Sequence, residues 1–210
     1  MKKLFLHTFV FIFTLFVISC AVTKPVVEEE DRINSEGKPV TFPHYNGPKI
    51  PLAVIPMGLS ERAAKQYPRL LEQSVGLGVH NVLTDALFKT HRFRFVEDNE
   101  AIIENALKRQ WMSASGAVDQ NSAVQMGKIL GAKKVIYGEV YDYSEGKEEN
   151  ISGFKVSTKP EIRVGIQIRL VDVETLEYIP ASDVKYSTDW GKASAASIEG
   201  AVFKLIQNLE

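Results

Sequence analysis

The residue whose position points most clearly to chemistry is Cys20, the single cysteine, in Val17-Ile18-Ser19-Cys20. A lone thiol forms no internal disulfide, and without a second cysteine there is no multi-cysteine metal site. Upstream lies a largely apolar run from Leu4 to Ile18, interrupted by His7 and Thr8 and preceded by Lys2 and Lys3. A basic start, an apolar core and a small residue such as Ser19 are the parts of a cleavable leader. As a helix the run spans only ~22 Å, short of the ~30 Å hydrocarbon core. The reading is therefore a signal peptide over residues 1–19, with Cys20 as the lipid attachment site and first residue of the mature chain. The competing readings are an uncleaved anchor, or an ordinary signal peptide beside an incidental cysteine. Each buried acyl methylene contributes ~0.8 kcal/mol, so several chains on Cys20 would anchor the protein permanently. Ala21 stands where an Asp would favour inner-membrane retention, so an outer-membrane lipoprotein facing the periplasm is expected.

No other residue cluster has the spacing of a catalytic or metal site. His7 leaves with the leader, and His44, His80 and His91 are not at helical ligand spacing. Gly76-Leu77-Gly78 lacks the third glycine and acidic partner of a dinucleotide loop, and Gly127-Lys128 is followed by Ile129 rather than Ser or Thr. Ser74, Ser113, Ser115 and Ser122 lack a nucleophile-elbow context. A non-enzymatic protein is expected, with no metal and no cofactor beyond the covalent lipid on Cys20. His91-Arg92-Phe93-Arg94-Phe95 interleaves bases and aromatics as nucleic-acid surfaces do. Loss of Lys2 and Lys3, however, moves the formal net charge from −1 to −3, leaving no basic excess for nucleic acid.

The elements behind these residues are those of a tethered α/β domain. Residues 20–48 form the lipidated N-terminus and a flexible tether, with Glu28-Glu29-Glu30-Asp31 and Gly37, Pro39, Pro43, Gly47 and Pro48. Thr41 to Tyr45 could dock on the domain or a neighbour. The globular part occupies 49–210. Leu52-Ala53-Val54-Ile55 reads as a buried strand, which Pro51 and Pro56 place at an edge or mark at its ends. Val75 to Leu87 has helical spacing, and Arg92 to Val96 alternates as a strand. Asp98 caps an expected helix carrying Ile102, Ile103, Ala106 and Leu107, and a further helix covers Ser122 to Leu130, ended by Gly131. Strands follow at Lys134 to Tyr143 and Glu161 to Val173, separated by a polar excursion at Ser144 to Lys159. Tyr178 to Trp190 returns as a strand, and Ala193 to Leu209 closes as a helix. The order predicts an α/β or α+β fold, a mixed sheet of about five strands covered by helices. The early strands should be parallel crossovers and the last three antiparallel.

Several short segments, in order, resemble the CsgG family, the outer-membrane lipoproteins of curli secretion and their periplasmic relatives. They are Arg92 to Glu97, Ser115-Gly116-Ala117-Val118-Asp119, Met126 to Ala132, Val135 to Val140 and Arg169 to Thr175. The resemblance runs from Ile50 to Trp190 and implies an anticodon-binding-like core. In the curli transporter, protomers form a ring, and two β-hairpins from each build a membrane barrel. The first hairpin maps onto Tyr141 to Ile168, where Glu145, Lys147, Glu148 and Glu149 cluster. Its strands look short for the ~9–11 residues a crossing needs. The second maps onto the segment after Asp172 to Glu177, where Leu176 stands for the family's glycine. The transporter's constriction resembles Tyr-Pro-x-x-Asn-Phe. Here Tyr67-Pro68 is followed by Leu71-Glu72, so Tyr67 alone carries over, as a constriction or interface residue; otherwise it is an aromatic capping a loop.

Together these readings describe an outer-membrane-anchored periplasmic lipoprotein acting in envelope assembly, secretion or scaffolding. Its partners would be the outer membrane, copies of itself in an oligomeric ring, and envelope proteins. One alternative is a pore-forming curli-type channel; another is a lipoprotein regulator of a peptidoglycan synthase.

Overall fold

The computed structural model describes residues 40–72, 75–96, 118–152 and 154–209. The expected helix around Ile102 and the leader with Cys20 lie outside them. One sheet organises the chain, in the order β3-β1-β4-β5-β6, with β2 alongside β4. The strands are β1 (Ile50–Val54), β2 (Gly58–Leu59), β3 (Phe93–Phe95), β4 (Lys134–Ser152), β5 (Lys155–Asp172) and β6 (Tyr178–Ser187). The helices, numbered over the described residues, are α1 (Glu61–Gln66), α2 (Pro68–Glu72), α3 (Val75–Lys89), α4 (Gln120–Ile129) and α5 (Trp190–Gln207).

β1 runs parallel to both β3 and β4, and β4, β5 and β6 are antiparallel. This is the division the sequence predicts: helical crossovers early, hairpins late. β1 is an inner strand, so its prolines mark ends. Pro51 sits near its start and offers its carbonyl to the Lys133 N–H at 3.0 Å.

Alternation along the strands assigns two cores. On one face Ile136, Val140, Val164, Ile166, Ile168 and Leu170 pack with Leu83 and Leu87 of α3 and Ile198, Val202, Leu205 and Ile206 of α5. On the other, Ala53, Ile55, Val135, Tyr137, Val171 and Val173 pack with Ala123, Val124 and Met126 of α4. Helices on both faces explain why Val135-Ile136-Tyr137 is apolar on both sides. Each fully buried Ile or Leu contributes ~1.5–3 kcal/mol, so the larger core dominates stability. Helix ends follow local chemistry: the Ser60, Asp119 and Asp189 side chains accept from the N–H of Ala63, Ser122 and Lys192. Gly131 follows α4 with φ 69°, where a Cβ would be strained.

The outer strand β6 turns charge inward. Asp183 and Lys185 are both buried, and Asp183 accepts from Lys185 at 3.3 Å and from Lys204 of α5 at 2.8 Å. Inward charges, together with Pro180 in the same strand, make an edge a poor template for further pairing.

The N-terminal approach is seated on the body. Phe42 packs against the larger core, and Arg92 lies 4.6 Å from the centroid of the Tyr45 ring.

Candidate functional site

The main departure from the sequence expectation lies in the excursion at Ser144 to Lys159, which is the end of a hairpin. β4 pairs with β5 from Lys134↔Asp172 to Ser152↔Lys155, and β6 accompanies β5 only from Ile162 onward. The pairs from Gly146↔Glu161 to Ser152↔Lys155 therefore form a two-stranded ribbon, about 24 Å long at ~3.4 Å per residue. The strands that carry it, β4 and β5, are not short, at 19 and 18 residues. Lys147 and Glu149 fall on one face, Glu148 and Lys159 on the other, because opposed residues share a face. Charge on both faces leaves no apolar band for lipid.

A bulge aims the ribbon. The register shifts between Val140 and Asp142, making Tyr141 the extra residue, and such insertions bend and twist a strand. Ser60 caps α1 and fixes this point: its N–H donates to the Val140 carbonyl at 2.9 Å and its hydroxyl to the Tyr141 carbonyl at 3.3 Å. Gly165 lies opposite. A Cβ there would meet Asp142 at 2.8 Å and the Tyr141 ring at 3.0 Å, so the bulge requires glycine. Arg163 then ties to Asp142 at 2.8 Å.

Just beyond the bulge, the ribbon root is clasped by an aromatic and charged cluster. The Tyr143 ring meets Tyr67 edge-on at 4.7 Å and Trp190 at 5.3 Å. Its hydroxyl donates to the Glu145 carboxylate, which also pairs with Arg69 of α2. Burial pushes the Tyr143 phenol up, with the Arg69 charge opposing. The cluster joins three separate elements to the ribbon: the α1–α2 junction through Tyr67, α2 through Arg69 and the start of α5 through Trp190. It has the parts of a positioning device.

Tyr67 is thus half-buried, with its hydroxyl accepting from Gln66 at 3.2 Å. The sequence reading missed Arg69, Tyr143, Glu145 and Trp190. The available signal was an alternation of polar residues after Tyr143, which resembles a loop when both faces are hydrophilic.

Among the described residues the histidines do not converge: His44 and His91 are exposed and His80 lies in α3. Among the described residues no group of three His, Cys, Asp or Glu is placed to hold a metal ion. Gly76 and Gly78 lie inside α3, and Gly127-Lys128 inside α4. Ser122 donates to Asp119 at 2.6 Å as part of a helix cap, and these bonds lower the Asp119 pKa. A cavity of about 70 Å³ is lined by Val118, Tyr137, Gly138, Glu139, Gln167 and Arg169. Burial raises the Glu139 pKa there, with Arg169 opposing. The cavity is far below the ~300–1,000 Å³ of usual ligand pockets. No helix among the described residues is long and apolar enough to cross a membrane.

These features define a class: a single-sheet α+β domain with a parallel crossover half and an antiparallel half drawn out into a clasped ribbon. Residues 45–209 match the family model described as curli production assembly/transport component CsgG, and the chain belongs to the CsgG family. Among solved structures it is similar to the PelC dodecamer from Paraburkholderia phytofirmans, at 14% identity over 79% of this chain and 93% of that one, with a TM-score of 0.39. It is similar to lipoprotein GNA1162 from Neisseria meningitidis at 19% identity, 77% and 99% coverage, and a TM-score of 0.36. For the LpoB C-terminal domain from Salmonella enterica the values are 15%, 69% and 87%, and 0.31. No curated protein matches the chain.

Proposed function

We propose that this is a lipid-anchored, non-enzymatic protein of the bacterial envelope, attached to the outer membrane through Cys20 and facing the periplasm. Its domain works by binding copies of itself or other envelope proteins in assembly, secretion or scaffolding, without a cofactor. The observation that carries the reading is the CsgG-family match over residues 45–209, downstream of an apolar N-terminal run that is followed by Ser19-Cys20. The clasped ribbon supports it: an arm held at its root by Tyr67, Arg69 and Trp190 and projecting from the sheet suits contact with a partner. Tyr67 acts as a positioning residue for that arm.

Two measurements test this. Labelled palmitate should enter the wild-type chain and not Cys20→Ala, and a labelled Cys20→Ala chain would end the anchor reading. In-cell crosslinking followed by mass spectrometry should join the domain to itself or to envelope proteins. Native mass measurement of detergent-extracted protein showing monomers alone, with no crosslinks, would remove the assembly reading.

The channel alternative gains one observation, since β4 and β5 contain 19 and 18 residues, beyond the ~9–11 a crossing needs. Charge on both ribbon faces opposes it, and unitary conductance in planar bilayers would decide for it.

A further inference from the structure

Three exposed large apolar side chains lie at the ribbon's end. Ile151 is 67% exposed, Val156 is 59% exposed and Phe154 is fully exposed. Ile151 and Val156 are directly paired across the strands, and Phe154 lies in the turn between them. The stem behind this tip is hydrophilic: Lys147, Glu148, Glu149, Thr158 and Lys159 are all exposed. An apolar end on a polar stem, about 24 Å beyond the last supporting strand, is of the size of the largest apolar patch on a typical monomer, which often marks a contact site.

We propose that this tip seats in the headgroup boundary of a lipid bilayer, as a shallow contact that does not cross. Two arguments select lipid over protein. First, three side chains of this size bury on the order of 500 Å² at most, below the ~800 Å² per partner of a stable protein interface. Lipid demands no matching surface. Second, charge on both stem faces sets a stop, so only the tip enters, to the ~5–10 Å typical of interfacial contacts. The proposal rests on the envelope reading for its setting, but its test does not use the Cys20 lipid.

The mature chain, residues 20–210, carrying Cys20→Ala has no cysteine and takes a single label. An environment-sensitive fluorophore is placed on Ile151→Cys or, separately, on Lys147→Cys. Vesicles of phosphatidylethanolamine and phosphatidylglycerol are then added. The Ile151 probe should shift to the blue and be quenched by lipid-borne quenchers, while the Lys147 probe stays in water. Adding Phe154→Asp should weaken vesicle binding at least ~10-fold, the scale of one lost buried aromatic. Circular dichroism checks the fold of each variant. An Ile151 probe unchanged by vesicles overturns the proposal. Equal quenching at both sites also overturns it, in favour of a crossing ribbon. A shift driven by protein concentration without vesicles overturns it in favour of a second copy. Loss of palmitate labelling at Cys20 would leave these outcomes untouched, so the two readings fail separately.

Discussion

β5 takes part in two hairpins, and they are specified in opposite ways. At its C-terminal end, the turn from Asp172 to Glu177 is written by local chemistry. The Asp172 carboxylate accepts from the N–H of Glu174 at 2.8 Å, of Thr175 at 2.9 Å and from Lys134 at 2.9 Å. Gln120 of α4 donates to the Leu176 carbonyl at 3.1 Å and ties the turn to the body. The N-terminal end of β5 lies in the ribbon, which has no third strand. A two-stranded hairpin is marginal alone in water. Its register is transmitted from the body, where a one-residue slip would turn the Ile166 and Ile168 side chains outward. One hairpin is fixed where it turns, the other where it begins.

The largest expected effects test that contrast along β5 itself. Ile168 is fully buried, and Ile168→Ala should cost ~2–5 kcal/mol in urea unfolding. Val156→Ala, on the same strand, should change stability by less than ~0.5 kcal/mol. Similar costs at the two sites would mean that the ribbon is part of the cooperative core. Next comes the clasp. Trp190→Ala removes the ring against Tyr143 and should cost ~1–1.5 kcal/mol, while speeding amide exchange from Ser144 to Glu149. Arg69→Ala should affect stability less, because the Arg69–Glu145 pair is largely exposed, yet it should loosen the same amides. If exchange in the ribbon is unmoved by either change, the root does not position it.

Acid should act on the other hairpin. The Asp172 carboxyl is held down at about 2, against an ordinary 3.8, first by the Thr175 N–H and then by Lys134. A depressed carboxyl pKa contributes stability that is complete above the unfolded value and lost as pH falls through the folded one. Asp172 therefore supports the fold above about pH 4 and progressively less toward pH 2. Asp172→Asn should cost ~1 kcal/mol at neutral pH and flatten the acid limb of an unfolding titration between those pH values. An unchanged limb would assign acid sensitivity to other carboxylates.

Much of the fold was legible because burial leaves a period. The alternation Ile162, Val164, Ile166, Ile168 and Leu170 was readable as one buried face, and those residues line the larger core. The helices expected over Val75 to Leu87 and Ala193 to Leu209 followed from their apolar spacing, but Trp190, expected to end the strand from Tyr178, instead begins the last helix, because Asp189 caps it there. The ribbon was not legible, because a strand wet on both faces has no apolar period, and its pairing is inherited from the body of the sheet. The clasp escaped for another reason. Tyr67, Arg69, Tyr143, Glu145 and Trp190 converge only through topology, and a single sequence does not display which distant elements meet.

The smallest effect bears on how completely the tight turn is specified. Leu176 has φ 66°, a left-handed conformation, and its side chain is half exposed. A residue with a Cβ pays ~1 kcal/mol or more there, and this one buries little in return. Glycine would remove that strain but bring more unfolded-state freedom, which offsets part of the gain. Leu176→Gly should therefore stabilise the protein by only ~0.5 kcal/mol. The Gln120 bond goes to the backbone carbonyl and survives the change. Matched urea curves for Leu176→Gly and Leu176→Asn, a residue that tolerates the left-handed region, separate strain from side-chain contact. Stabilisation by both would show that the turn is set by Asp172 and its bonds, with Leu176 a tolerated misfit. Destabilisation by both would mean that the leucine side chain itself contributes contacts, and that the tight hairpin, like the ribbon, depends on more than its turn residues.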